Sequence, residues 1–367
     1  MPKLVWREPV ETITISSGMA SAPAGAPPPE GVAHPIGSGP VDASRPVAGH
    51  RVRGLSDIAG RESGGLVVLL VAVGALTLAS DEFLTAGNLA NLVRQVAIFA
   101  IIAVGQLLVI LTAGIDLSVG SVLGLSGCVT AQLLVAGWPI PVAILVGLLI
   151  GAVLGLANGL LVTRLMLPPF IATLGMLGIA RGVVLVITDA KTVQGGMPES
   201  FQNIANGTVF GIPNLLIIAA IIVAAAWFML TRTVFGRYIY AVGSNPESAR
   251  LAGVPVQVVT ISVYVISGLL AGLGGLLLTS RLGAGIPTAG TGFELNAIAA
   301  CVIGGASLFG AKGSALGAAT GALIMGVLNN GGNLLAINAF YLQIAIGVLI
   351  LVAVGFDQWN TRSASRA

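Results

Sequence analysis

Asp116 sits in the run Thr112-Ala113-Gly114-Ile115-Asp116-Leu117-Ser118-Val119-Gly120-Ser121, between two apolar stretches only just long enough to cross a bilayer. A carboxylate in glycine-rich, irregular backbone at membrane depth is tolerated only where protein or a water-filled cavity surrounds it. Two readings follow: a cavity or gate residue, or a helix cap in which Asp116 or Ser118 starts the stretch beginning near 119. Arg94 and Glu294 fall at the ends of apolar stretches, where charged side chains reach the interface. Arg181 lies about thirteen residues into one and needs a facing acid or a polar cavity. Gln106, Asn158, Asn296, Asn329 and Asn333 place neutral donors and acceptors at depth. They suit an uncharged, polyhydroxylated cargo and serve equally as hydrogen bonds between helices. Asp116, Ser118, Asn158, Asn296 and Asn329 are therefore the candidate residues of a translocation pathway or gate.

Other chemistry is missing from the sequence. Gly305-Ala306-Ser307-Leu308-Phe309-Gly310-Ala311-Lys312-Gly313-Ser314 looks like a phosphate loop, but Ala311 stands between glycine and lysine and no strand precedes it. The two histidines, His34 and His50, lie near the N-terminus, and no metal-ligand spacing occurs. Cys128 and Cys301 both fall inside apolar stretches and read as small buried thiols. The expectation is a non-catalytic protein without cofactor or metal, and with no means of hydrolysing a nucleotide.

The elements that must position these residues are membrane spans. Hydrophobic residues make up 56% and charged residues 8% of 367, with a mean hydropathy of +0.98, against roughly a quarter charged in soluble domains. Apolar runs recur at about 65–80, 93–112, 119–136, 141–163, 168–188, 212–231, 256–280, 293–309, 314–335 and 339–357. Each is of helix-spanning length and none shows the alternation of barrel strands. Ten transmembrane helices in one all-α polytopic domain (64–360) are expected. Residues 1–63 hold half the prolines, including Pro27-Pro28-Pro29, and read as a disordered arm without a signal peptide. Residues 361–367 form a short tail.

Charge orients the bundle. One set of ends carries Arg45, Arg51, Arg53, Arg61, Arg164, Arg232, Arg237, Arg250, Lys312, Arg362 and Arg366; the other carries Lys191, Arg281 and Arg94. Positive charge is retained in the cytoplasm, so both termini are expected inside and the 189–211 loop outside. The net charge of +3 follows from this topology, and nucleic acid is not an expected partner. Gly147, Gly151, Gly155 and Gly159, and later Gly313, Gly317 and Gly321, form ridges that let helices approach closely. Similarity between the fourth and ninth spans suggests two five-helix halves related by an inverted repeat; a rival match of Gly120-Ser121-Val122-Leu123-Gly124 with Gly313-Ser314-Ala315-Leu316-Gly317 implies a different offset.

The longest polar segment inside the bundle runs from Phe235 to Gly253, within a cytoplasmic connection at 232–255. Either Ser244 caps a short helix with Glu247 three residues on, or Asn245 caps it with Pro246 in the first turn; Gly253 and Pro255 end it. So short a helix is unstable alone. Held between two spans, it forms a rigid knob that another protein can grip.

Four motifs in order carry a resemblance: Val109 to Ser121, Leu167-Pro168-Pro169-Phe170-Ile171-Ala172-Thr173-Leu174-Gly175-Met176, the 235–253 segment, and Val302-Ile303-Gly304-Gly305-Ala306-Ser307-Leu308-Phe309-Gly310. Over about 85–358 the chain resembles permease subunits of bacterial ABC importers for monosaccharides, the ribose, xylose and fructose group. One departure is Thr112-Ala113-Gly114, where the family usually has Thr-Gly-Gly; the Pro-rich arm is another. The resemblance implies a homodimer with the type II importer fold in the bacterial inner membrane. It also implies a cytoplasmic ABC ATPase, a periplasmic sugar-binding protein and a pathway on the two-fold axis. It makes the helix after Ser244 the coupling helix, with Gly236, Arg237, Ser244, Asn245, Pro246, Glu247, Arg250 and Gly253 as candidate ATPase-coupling residues. Permeases for a branched-chain amino acid or a cyclitol, and an ion-coupled secondary transporter with Asp116 as carrier, are the alternatives.

Overall fold

Proline and capping side chains set the starts of the helices, and glycine sets several of their ends. The computed structural model describes residues 55–338, 340–348, 351, 352 and 355. The helices are α1 (Leu55–Ala79), α2 (Ala86–Leu111), α3 (Val119–Val135), α4 (Ile140–Thr163), α5 (Pro169–Ile187), α6 (Glu199–Asn206), α7 (Asn214–Arg232), α8 (Val234–Ser244), α9 (Pro246–Leu251), α10 (Val256–Leu282), α11 (Phe293–Ile303) and α12 (Ala315–Leu334). Residues 340–348 are also helical. Two-residue strands form two antiparallel pairs, β1 (Val193–Gln194) with β4 (Ala284–Gly285) and β2 (Thr208–Val209) with β3 (Ile212–Pro213). Most of the expected arm, the 361–367 tail and part of the 339–357 span lie outside the described residues; α1 begins at Leu55, within the stretch assigned to the arm.

Thr85 accepts from the Asn88 amide to start α2, and Ser314 accepts from the Gly317 amide to start α12. Proline stands at or within the first turn of α4, α5 and α7, where a missing N–H costs no helical bond. Length and composition single out five of the described helices as able to cross a membrane, α2, α4, α5, α7 and α10, rather than the ten spans expected. Val67–Ala79, α3 and α11 are shorter apolar pieces. The protein is an all-α, multi-pass membrane protein.

Helix α10 packs along α4, α3 and α2. The α4 glycine ridge faces it: a methyl on Gly151 would overlap the Gly268 carbonyl oxygen, and one on Gly155 that of Tyr264. Leu145, Leu149, Val153 and Leu156 point away and are exposed. This arrangement, small residues inward and large ones toward lipid, is what packing in a bilayer favours. On α12, Gly317 and Gly321 lie against Gly304 and Ala300. The two ridges thus serve different neighbours, and no repeat is evident in these contacts.

The stretch expected as one span over 293–309 is broken. Helix α11 stops at Ile303, and the turn that follows has positive φ at Gly305 (+89°), Gly310 (+89°) and Gly313 (+149°). Before α11 the chain is irregular: Gly283 (φ +64°) ends α10, β4 pairs with β1, and a series of turns over 287–292 then runs back along α3. Gly285 lies against Cys128 and Ala131, and Gly290 against Gly120. Phe293 meets Phe99 edge-on, ring centroids 4.9 Å apart. Because Phe99 is midway along α2, α11 starts at mid-depth, not at a membrane face.

Candidate functional site

The 235–253 segment is two helices. Thr233 joins α7 to α8: its hydroxyl donates to the Met229 carbonyl (2.6 Å) and accepts from the Gly236 amide (3.1 Å). Gly236 fits because a side chain there would strike the Met229 and Leu230 carbonyls. Asn245 Oδ1 accepts from the Ser248 amide (2.9 Å), and Pro246 opens α9. Of the two caps open from sequence, the asparagine is the one used. Gly253 follows α9 with φ +82°. Ala249 and Val254 anchor the knob, while Arg237, Ser244, Asn245, Pro246, Glu247, Arg250 and Gly253 are exposed. Arg250 Nη1 lies 3.3 Å from Glu247 Oε2 on the surface. A solvated pair of this kind adds at most about 0.5 kcal/mol to the helix, so these charges contribute little to holding α9. Leu251, 83% exposed beside them, is an apolar side chain with no cover.

The inner face of α8 rests on two tight turns. Gly243 lies directly on the Leu111 carbonyl and the Ala311 amide, and Ala311 N–H donates to Leu111 O (3.0 Å). Gly310 packs on Ala113 and the Gly243 carbonyl. Tyr240 donates its hydroxyl to the Gly313 carbonyl (2.9 Å). Burial pushes the Tyr240 phenol above its ordinary range, so it stays a proton donor. One helix therefore grips both the turn after α2 and the turn before α12. Tyr240, Gly243 and Leu251 were missed from sequence. Gly236, Tyr240 and Gly243, spaced i, i+4, i+7 along one helical face, were the signal for the seat.

Next to the first turn lies Asp116, 1% exposed. Its Oδ1 accepts from the Ser118 amide (2.9 Å) and hydroxyl (2.6 Å), and its Oδ2 from Ser267 on α10 (3.1 Å). Ser118 Oγ accepts from Asn158 Nδ2 on α4 (2.9 Å). The Gln106 amide brackets the Asp116 backbone, donating to its carbonyl (2.9 Å) and accepting from its N–H (3.3 Å). Thr173 on α5 shares its hydroxyl between Pro169 O (2.9 Å) and Ile115 O (3.1 Å). The linker 112–118 is thereby bracketed to α2, α4, α5 and α10. Among the described residues, two buried atoms beside it, Asn158 Oδ1 and Tyr264 Oη, have no hydrogen-bond partner, and Ala113 holds a left-handed φ of +60°.

Asp116, Ser118 and Asn158 thus come together, whereas Asn296 and Asn329 lie elsewhere. Asn329 bonds within its own helix, to Met325 O (2.8 Å), and Asn296 Oδ1 has no partner among the described residues. Asn330, not singled out from sequence, forms a reciprocal amide pair with Asn88 (2.7 and 3.0 Å) that ties α12 to α2. Among the described residues no cluster of three His, Cys, Asp or Glu could hold a metal.

The family described as branched-chain amino acid transport system / permease component matches residues 88–354. The ribose import permease protein of Haemophilus influenzae is 43% identical over 301 residues, 81% of this chain and 93% of that one. That of Bacillus subtilis is 45% identical over 295 residues, 80% and 91%. The D-allose transport system permease protein of Escherichia coli is 43% identical over 294 residues, 80% and 89%. No solved structure matches significantly.

Proposed function

The chain belongs to the branched-chain amino acid transport system / permease component family, and on that premise we propose that it is the permease subunit of an ABC importer for a monosaccharide, powered by a separate ATPase. The observation that carries this reading is the seat of α8: an exposed knob, α9, is joined rigidly to two turns inside the bundle. A subunit that receives force from outside needs such a joint. For the cargo, the family's description speaks of branched-chain amino acids, whereas the relatives above are ribose and D-allose permeases. Near-complete coverage at over 40% identity favours the sugar.

In this reading Glu247, Arg250 and Leu251 meet the cytoplasmic ATPase, with Ser244, Asn245, Pro246 and Gly253 fixing the knob's shape and Gly236 and Arg237 its approach. The periplasmic binding protein docks on the 189–211 side, and a second copy completes the pathway. Ten crossings are α1–α5, α7, α10, the irregular 284–292 chain together with α11, α12 and the helix beginning at 340, in two halves, with both termini, the arm and the tail cytoplasmic. ATP-driven closure of the ATPase pair moves α9. Helix α8 carries the displacement to the 111–114 and 304–313 turns, and the Asp116 bracket distributes it to α4, α5 and α10. Ser118 and Asn158 move with the bracket, while Asn296 and Asn329 face the pathway at other depths.

The test is reconstitution of the permease with its ATPase and binding protein in liposomes. Labelled ribose should accumulate only with ATP and binding protein present. Accumulation of leucine instead, or uptake that survives without ATP and collapses with the ion gradient, would overturn the reading.

A further inference from the structure

Resting on that transport reading, we propose that Arg181 and Glu294 form a polar station at mid-depth that holds the hydroxyls of a sugar in transit. Arg181 is the thirteenth of the nineteen residues of α5. Its helix is fixed at one end by Thr173, which donates to Ile115 O of the 112–118 linker (3.1 Å), and at the other by Gln132, whose amide donates to Ile187 O (2.7 Å). The residue is only half-buried. A guanidinium so placed cannot face lipid cheaply, so its open side meets water, cargo or a second copy.

Arg181 Nη1 donates to Pro287 O (2.5 Å) and Ala289 O (3.1 Å). These carbonyls belong to the turns between β4 and α11, irregular backbone that is stable at depth only beside protein or a wet cavity. Among the described residues its hydrogen bonds all leave from Nη1, so the Nε and Nη2 edge of the fork remains to donate. Glu294 stands in the first turn of α11, with Oε1 accepting from the Gly292 amide (3.2 Å) and Oε2 lying over Gly120. Arg181 lies over Gly124, one turn along the same face of α3. The two charges attract each other, yet they make no ion pair within 4.0 Å, unlike Arg250 and Glu247. A side chain at Gly120 would strike Glu294, and one at Gly124 would crowd Ala289 O and the guanidinium. The missing side chains at both glycines let these polar groups sit against α3.

The result is a strong donor and a strong acceptor seated on adjacent turns of α3 without pairing to each other. Neighbouring hydroxyls of a sugar match it: one accepts from the guanidinium while the next donates to the carboxylate. Neither charge needs neutralising, so an uncharged cargo leaves the pair as it found it. An α-amino acid would instead place its carboxylate on Arg181 and its ammonium on Glu294, and leucine is therefore included as a competitor.

The experiment uses the full importer in liposomes, with the binding protein saturated in turn by ribose and by its monodeoxy analogues. Glu294→Gln and Arg181→Lys should each lower maximal ribose uptake at least tenfold while binding-protein-stimulated ATP hydrolysis persists. They should also flatten the wild-type preference for ribose over a deoxy analogue, a change that a merely structural role would not produce. If Arg181→Lys fails to assemble, Glu294→Gln carries the test, because it leaves the Nη1 bonds to Pro287 and Ala289 intact. Unchanged uptake and preference in Glu294→Gln, or equal losses for every analogue, would overturn the station. Competition by leucine but not by deoxyribose would overturn the sugar assignment. Wild-type liposomes that fail to carry ribose at all would instead overturn the transport reading before any variant is compared.

Discussion

Replacing Gly243 by alanine tests whether α8 transmits force through its seat. The new methyl would fall on the Leu111 carbonyl oxygen and 2.8 Å from the Ala311 nitrogen, closer than packed carbon approaches main chain. The contact is backbone on both sides, so α8 has to lift. The Tyr240 to Gly313 hydrogen bond, 2.9 Å long, is lost with a lift of roughly 0.6 Å. Overpacking costs about 1–3 kcal/mol and the lost bond about 1 kcal/mol, together about 2–4 kcal/mol of seating energy. Tyr240→Phe removes only the bond, which corresponds to about a fivefold effect. In liposomes with ATPase and binding protein, sugar imported per ATP should fall at least tenfold for Gly243→Ala and about fivefold for Tyr240→Phe, with ATP hydrolysis continuing. A correctly assembled Gly243→Ala importer with wild-type stoichiometry would refute the transmission argument.

Ala113→Gly should stabilise the purified protein: a left-handed alanine costs about 1–2 kcal/mol, partly offset by about 0.4–1 kcal/mol of added unfolded-chain entropy. Equilibrium unfolding in mixed micelles should show a net gain of roughly 0.5–1 kcal/mol, and a loss would contradict the strain assigned to φ +60°. Asp116→Asn puts an amide N–H in place of one of the oxygens that accept from Ser118 and Ser267, and losing a buried acceptor costs about 1–3 kcal/mol, so transport should slow with the protein still assembled; wild-type rates would leave the bracket without a role in cycling. Replacing Glu247 and Arg250 together by alanine should change stability by no more than about 0.5 kcal/mol but weaken ATPase binding and sugar uptake, and unaltered pull-down of the ATPase would remove these side chains from the interface.

Much of this was legible in the sequence because bilayers make strong demands. The α4 glycines at four-residue spacing face α10, as close packing in lipid requires. Asn245, Pro246 and Gly253 mark a two-turn helix whose cap the structure then selects. Arg181 called for a polar partner at depth, and it has two carbonyls and an acid. What composition concealed was backbone direction. Residues 284–292 read as a loop and 293–309 as a span, because nothing in apolar content distinguishes a half-helix starting at mid-depth from a whole one. The ties from Gln106 and Ser267 to Asp116 join residues 10 and 151 positions apart in sequence, a distance that no local pattern encodes.

The placement of irregular backbone gives the proposed push at α9 a route into the bundle. Helices resist bending, whereas the turns at 111–114 and 304–313 concentrate left-handed residues, Ala113, Gly305, Gly310, Ala311 and Gly313. Such turns hold shape through main-chain contacts and have few soft side chains to absorb displacement. Helix α8 grips both through main chain: Gly243 against Leu111 and Ala311, and Tyr240 to the Gly313 carbonyl. From the first turn, the linker leads through Ile115 O to Thr173 on α5, and Arg181 lies eight residues farther along that helix, about 12 Å away. A shift of the turn that tilts α5 about its Thr173 end therefore moves the guanidinium relative to Glu294, which is carried on a different helix. The proposed coupling seat and the proposed sugar station are thus separate sites, linked through the 112–118 linker and α5.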